Sequence, residues 1–476
     1  MVFSSPIFIF IFLPLFLFSY FITVVYGDIK HQNICLIIFS LIFYAYGGIR
    51  FLPILLLSIL VNYILAICIA NNQDDKYKKI FLFIDVFFNI LILVIFKYLN
   101  LFDNLIVNIL NTLLHRNYTD FIPDIALPIG ISFYTFQIMT YVIDVYRNKV
   151  KVNTKFSEVL LYAMLFPQLI AGPIVRYSDV QNEIEYRTTS LDRVYNGIKR
   201  FMIGFVKKII FANTCGNIAT LCLGAEPYRI GFYFSLLAIV CYTIQIYLDF
   251  SAYSDMAIGI GLMLGFNFPE NFNDPFTAHS LTEFWRKWHM TLTSFLTDYI
   301  YIPLGGSRKG VFRTYVNIFL VFAISGIWHG ANINYLMWGI YNAFFMIIER
   351  LFLSKILKKI PKILSLVYTL FVWVFGMVIF YYTDFSKMFL YLDGLFYPMN
   401  FDFNFRPMLK AVLNFSFVSV FLGSLLLCTP IFKTISIFLQ EKRLSFISDI
   451  VIVLLFVYAI MEMCVSGYNP FIYFRF

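Results

Sequence analysis

The sequence predicts an all-α integral membrane protein of about 11–13 spans plus re-entrant or short helices, and three observations lead there. First, 61% of the 476 residues are hydrophobic and only 13% are charged. Soluble domains average ~45–50% apolar and ~25% charged, so lipid must cover apolar surface that a soluble globule of this size has no room to hide. Second, apolar stretches near the ~20 residues required by a spanning helix recur from end to end. They lie at 5–26, 34–48, 51–70, 80–98, 124–143, 157–173, 198–222, 230–250, 313–327, 333–349, 363–383, 410–430 and 446–465. Third, alternating strands separated by turn residues are missing, which argues against a membrane β-barrel.

The first stretch carries no positive charge over Met1–Pro6 and no small-residue cleavage site follows it, so it reads as a retained span. The loops set the orientation. Basic residues collect at 71–79 (Lys76, Lys78, Lys79) and at 147–155 (Arg147, Lys149, Lys151, Lys155), with two candidate spans between them. They collect again at 350–362 and 433–443, also two spans apart. The positive-inside bias puts these four loops in the cytoplasm and both termini outside. The stretch 176–312 resists the same treatment. These short loops account for the net charge of +9 without a nucleic-acid partner. The seven cysteines are scattered with no CxxC, as small buried hydrophobes are. With no soluble domain, long linker, repeat or low-complexity tract, 1–476 reads as one membrane domain.

Polar exceptions concentrate at about 127–345. Ionisable groups and irregular backbone are costly in hydrocarbon unless they line protein or a water-filled cavity, so function is expected there. Leu127–Gln137 reads LPIGISFYTFQ. In Phe166–Arg176, FPQLIAGPIVR, the residues Pro167, Gly172 and Pro173 break a helix, as either a re-entrant segment or a kinked span. Tyr247–Phe276 places Asp249 and Asp255 beside apolar helix, six residues apart and off one face; partner of a site, cap or buried hydrogen bond all remain open. Phe284–Gly306 is densest. Trp285 and His289 are spaced i,i+4 and are expected on one helical face, while Arg286 suits a membrane surface or an anionic ligand. Then comes SGIWHGAN, Ser325–Asn332, where Gly326 and Gly330 flank His329 and permit close approach of backbone or ligand.

Only five histidines exist, and His289 and His329 alone sit in Trp-rich, semi-apolar settings. No third metal ligand, HExxH, Walker A loop or GxSxG elbow accompanies them, so metal, ATP and serine-hydrolase chemistry lack support.

These segments resemble the membrane-bound O-acyltransferase (MBOAT) superfamily, in its bacterial branch for polysaccharide O-acetylation and teichoic acid D-alanylation. The resemblance rests on Phe284-Trp285-Arg286-Lys287-Trp288-His289 with Tyr301–Gly306, then Trp328-His329-Gly330-Ala331-Asn332, and on the three earlier segments in the family's order. It implies a ring of helices around a central tunnel in a bacterial cytoplasmic (inner) membrane. It implies His329 as the catalytic histidine and His289 as its polar partner, with Trp285, Trp328, Asn332, Asp249 and Arg286 as substrate-binding candidates. It also implies acetyl-CoA as acyl donor with no bound cofactor, a polysaccharide acceptor, and an extracytoplasmic SGNH/GDSL-like transferase as partner. A neutral imidazole, with an ordinary pKa of ~6.5, can take the proton of an attacking hydroxyl.

The tail, 466–476, ends Asn469-Pro470-Phe471-Ile472-Tyr473-Phe474-Arg475-Phe476. It reads as an interfacial aromatic belt, and it resembles the C-terminal motif of the small peptide that works with the D-alanyl transfer protein. On the second reading Tyr473 is an acyl relay. Peptidoglycan is the first acceptor expected; alginate or another exopolysaccharide and D-alanyl transfer follow. A transporter built on discontinuous helices is the rival from another class. A scaffold has no need of buried histidines.

Overall fold

The computed structural model describes the chain except 116–117, 225–226, 397–409, 411–413, 468 and 470–476, and describes backbone alone at 227–230. The described residues are helical and turn structure without strands. The chain forms two compact units: Met1, Ile7–Asn196 and Ile260–Pro269 make the first, and Val2–Pro6, Gly197–Gly259 and Glu270–Phe476 make the second.

The first unit holds α1 (Leu13–Tyr26), α2 (Ile29–Gly48), α3 (Leu52–Asn71), α4 (Asp75–Leu93), α5 (Leu99–Leu114), α6 (Ile131–Tyr146), α7 (Phe156–Met164), α8 (Phe166–Leu169) and α9 (Tyr177–Glu185). Their limits follow local chemistry. Prolines in the first turn open α3 and α8, where a missing N–H costs little, whereas Pro14 lies inside the helical run Phe8–Tyr26, just after a π-helical turn at Phe8–Phe12. The Asp28 and Asp74 carboxylates cap α2 and α4 by accepting from the N–H groups of His31 and Lys76. Phenylalanine packs the interior: Phe8, Phe12, Phe16 and Phe43 close around Phe166 at ring separations of 5.0–6.5 Å.

The break expected at 166–176 is present. Leu161–Val175 is wholly buried although α7 ends at Met164, α8 is one turn long, and 170–176 is irregular. Side chains satisfy this backbone. The Tyr162 hydroxyl donates to the carbonyls of Gln137 (2.9 Å) and Val175 (3.1 Å), and the Gln168 amide donates to Tyr162 O at 2.7 Å. Irregular backbone survives here because protein, not lipid, surrounds it.

The second unit takes up most of α10 (Leu191–Val206) and of α12 (Pro227–Leu264), with α11 (Asn213–Leu223) between them. It continues through α13 (Leu281–Lys287), α14 (Met290–Leu296), α15 (Val311–His329), α16 (Ile333–Ile348), α17 (Ser354–Leu357), α18 (Lys362–Tyr381) and α19 (Phe385–Gly394), then Phe415–Leu427, Ile431–Glu441 and Ser445–Val465. α15 and α16 form a tight hairpin. A Cβ at Gly326 would overlap the Tyr335 carbonyl, and one at Gly339 the Phe322 carbonyl.

Eight helices among the described residues are long and apolar enough to cross a membrane, or nine if the pair Phe415–Leu427 and Ile431–Glu441, bent by 75°, counts as one span. These are helical runs and not crossings, since Ile29–Asn71 and Asp75–Leu114, at 43 and 40 residues, are each long enough for two spans of ~20 residues. The stretches 34–48 and 51–70 join into one 43-residue helical run, Ile29–Asn71. The stretch 124–143 becomes the short and largely buried α6, and 157–173 and 198–222 are interrupted helices. Apolar content alone does not separate a span from a buried core helix.

Candidate active site

Both candidate histidines belong to the second unit, and each is placed by the end of a helix. α13 is anchored at its start. Ser280 Oγ accepts from Glu283 N–H at 3.1 Å, and the buried Glu349 carboxylate accepts from the N–H groups of Leu281 (2.6 Å) and Thr282 (3.0 Å). α13 stops at Lys287, Trp288 is extended, and His289 adopts the left-handed conformation at φ 43°. A histidine held there is uncommon and requires support from its surroundings. The segment 271–273 supplies it, as Asn273 N–H donates to Lys287 O and Met290 N–H to Asn271 O, both at 2.9 Å.

This geometry corrects one expectation: Trp285 and His289 do not share a helical face, because the helix ends between them. Local spacing suggested one helix, but the turn at 288–289 sends the imidazole elsewhere. Its Nδ1 lies 3.0 Å from Asn271 Oδ1, which also accepts from the Thr291 hydroxyl at 2.9 Å, and Asn271 Nδ2 donates to Ser254 Oγ at 3.0 Å. An acceptor opposite Nδ1 assigns the ring hydrogen to Nδ1. The lone pair is then on Nε2, which is buried and has no hydrogen-bond partner among the described residues. The ring meets Phe250 edge-on at 4.7 Å and Trp328 at 6.0 Å. His289 lies outside the candidate spans, and burial, with His329 as a smaller second cause, holds its pKa well below the ordinary histidine value.

His329 is the last residue of α15. Its ring packs against Trp328 at 4.9 Å, Trp338 at 5.1 Å and Phe380 at 5.6 Å. Both imidazoles therefore pack against one indole, that of Trp328. All five tryptophans of the chain join this cluster: Trp285 lies 5.8 Å from Trp338 and 5.6 Å from Trp373, and Trp288 lies 4.8 Å from Trp373. Two bases in an aromatic, water-poor setting suit proton transfer beside an apolar acyl chain.

The profile of the family described as MBOAT, membrane-bound O-acyltransferase, matches residues 39–392. The chain belongs to the membrane-bound O-acyltransferase family. It is 39% identical over 381 residues to a probable alginate O-acetylase of Pseudomonas aeruginosa, covering 80% of this chain and 72% of that one. It is 33% identical over 396 residues to a peptidoglycan O-acetyltransferase of Helicobacter pylori, covering 77% and 74%. A teichoic acid D-alanyltransferase of Bacillus subtilis is 28% identical over 271 residues, covering 53% and 68%. As a member of this family the chain is an acyltransferase.

Within this acyltransferase the other expected site residues are distributed unevenly. Trp285 and Trp328 are buried in the cluster. Asp249 is committed to a buried ion pair, its Oδ1 2.8 Å from Lys208 Nζ. Asp255 is paired with Arg200 (3.0 Å) and Lys207 (2.7 Å). Arg286 and Asn332 are exposed, the latter at the start of α16, so neither joins the buried tryptophans and histidines. Gly326 and Gly330 admit Tyr335 and its backbone rather than a ligand. Asn469, at the base of the tail, donates to Ser4 O at 2.8 Å; Tyr473 lies outside the described residues. Among the described residues no three His, Cys, Asp or Glu side chains are grouped to hold a metal ion. Sequence reasoning missed Asn271, Thr291 and Glu349. A run of asparagines around Pro269 was the available signal for the first, and a lone acid ending an apolar helix for the last.

Proposed function

We propose that this acyltransferase takes acetyl from a cytoplasmic thioester, acetyl-CoA, and passes it across the cytoplasmic membrane for O-acetylation of an extracytoplasmic polysaccharide. The observation carrying this reading is the pair of buried imidazoles that both pack against Trp328. His329 removes the proton of the acceptor hydroxyl as its oxygen attacks the thioester carbonyl. The new C–O bond forms, the C–S bond breaks, and the proton passes to the departing thiolate. With its hydrogen on Nδ1, His289 presents an acceptor nitrogen, which suits holding the incoming hydroxyl better than donating to an oxyanion.

The acceptors named for the relatives, alginate at 39% identity and peptidoglycan at 33%, support a secreted exopolysaccharide beside peptidoglycan. A separate extracytoplasmic SGNH/GDSL-like transferase would complete delivery. The contact of Ser4 with Asn469 supports a common face for the two termini, which the basic loops assign to the outside. The test is ester-linked acetate on isolated cell-wall glycan and on secreted polysaccharide, comparing wild type with His329→Ala. Loss from one polymer identifies the acceptor, and unchanged acetate on both overturns the reading.

A further inference from the structure

The first unit contains a cavity of about 590 Å³ where α3 ends, α4 begins and α6 turns into 147–152. Lys78, Lys149 and Lys151 line it. Its remaining walls are mainly apolar, from Ile69, Val145, Val150 and Val152, and no acidic residue contributes. None of the three lysines forms an ion pair among the described residues, whereas the neighbouring Lys155 is taken by Glu158 at 2.8 Å. The turn is built: Asn148 adopts φ 55°, and the Lys149 N–H returns to Asp144 O at 2.9 Å. Three lysines line one concavity to which no carboxylate contributes, and an anion offsets such an excess of positive charge.

We propose that this cavity binds the phosphate of an anionic phospholipid headgroup. A lysine set of this kind recognises phosphate as a point charge, whether it comes from a lipid or a soluble molecule. Two features select the lipid. The cavity adjoins the end of the apolar run Ile29–Asn71 and the start of the run Asp75–Leu114, where headgroups lie. Its apolar walls also cover glycerol and the first methylenes of a lipid, which a soluble phosphate lacks. The lysines come from the two loops whose basic excess marks the cytoplasmic side, where basic pockets between spans take acidic lipid.

The test uses full-length protein purified in detergent, with phosphatidylglycerol, phosphatidylcholine, inorganic phosphate and adenosine 3′,5′-bisphosphate as probes. Native mass spectrometry reads the lipid retained. Wild type keeps phosphatidylglycerol over phosphatidylcholine, and the Lys78→Gln, Lys149→Gln, Lys151→Gln triple variant binds it roughly a hundredfold more weakly. The triple arginine variant, which keeps the charge, retains it; thermal melting of both variants checks their folding. Equal retention by wild type and the glutamine variant overturns the proposal. Displacement of the lipid by either soluble phosphate at equal concentration also overturns it, and gives the cavity to a soluble anion.

Discussion

Asn271 Oδ1 faces His289 Nδ1 at 3.0 Å and thereby decides which nitrogen of the imidazole carries the lone pair. Asn271→Ala strands the buried Nδ1–H of His289 at a cost of about 1–3 kcal/mol, and it frees the tautomer. Acetyl transfer should fall by roughly 10- to 100-fold, by analogy with other histidine-orienting partners. Asn271→Asp keeps the acceptor and adds charge that favours imidazolium, so the acid limb of the pH–rate profile should move to higher pH. A profile that does not move would show that Asn271 only packs.

His289 has a folded-state pKa below its unfolded value of ~6.5. Below that pH the unfolded chain binds a proton that the folded chain resists, so the stability is complete above ~6.5 and declines as pH falls. The apparent melting temperature in detergent should drop between about pH 7 and pH 5 in wild type, and less steeply in His289→Gln. Parallel curves for the two proteins would contradict this.

Glu349 caps α13 through two backbone N–H groups and the Thr282 hydroxyl. Glu349→Ala removes all three bonds from the helix that leads to His289. A loss of about 1–3 kcal/mol is expected, measured as a lowered melting temperature together with reduced acetyl transfer. Glu349→Gln should recover part of both.

Gly326 and Gly339 set the closeness of α15 and α16. Alanine at either position drives a methyl group into carbonyl oxygen and must part the helices, at a typical overpacking cost of about 1–3 kcal/mol. Because His329 ends α15, acetylation should fall in these variants even at temperatures where the protein stays folded. Full activity in Gly326→Ala would show that the hairpin does not position His329.

Tyr473→Phe tests the relay. A phenol with a pKa of ~10 leaves an aryl ester reactive, and phenylalanine removes that oxygen. Cells carrying the variant should lose polysaccharide acetate; retention of the wild-type amount rules the relay out.

Legibility in the sequence followed range. The helix break at Pro167 and Gly172 was readable because proline and glycine act locally. His289 and His329 stood out as imidazoles among tryptophans. The shared face of Trp285 and His289 was misread because nothing near Trp288 announces a turn: Asn271 and Asn273, outside the i,i+4 window, hold it. Asp249 read as a site candidate because its partner Lys208 lies forty-one positions away.

The chain by itself determined that this is an all-helical membrane acyltransferase, and it singled out two histidines set among tryptophans. Hydropathy, glycine and proline are properties of single residues and short runs, so they survive in one dimension. Only the tertiary structure decided that both imidazoles meet Trp328, that Asn271 selects the tautomer, and that Arg286 and Asn332 remain outside. Those outcomes depend on which distant groups meet, and in a buried, apolar setting a polar group gains from each partner that packing brings to it.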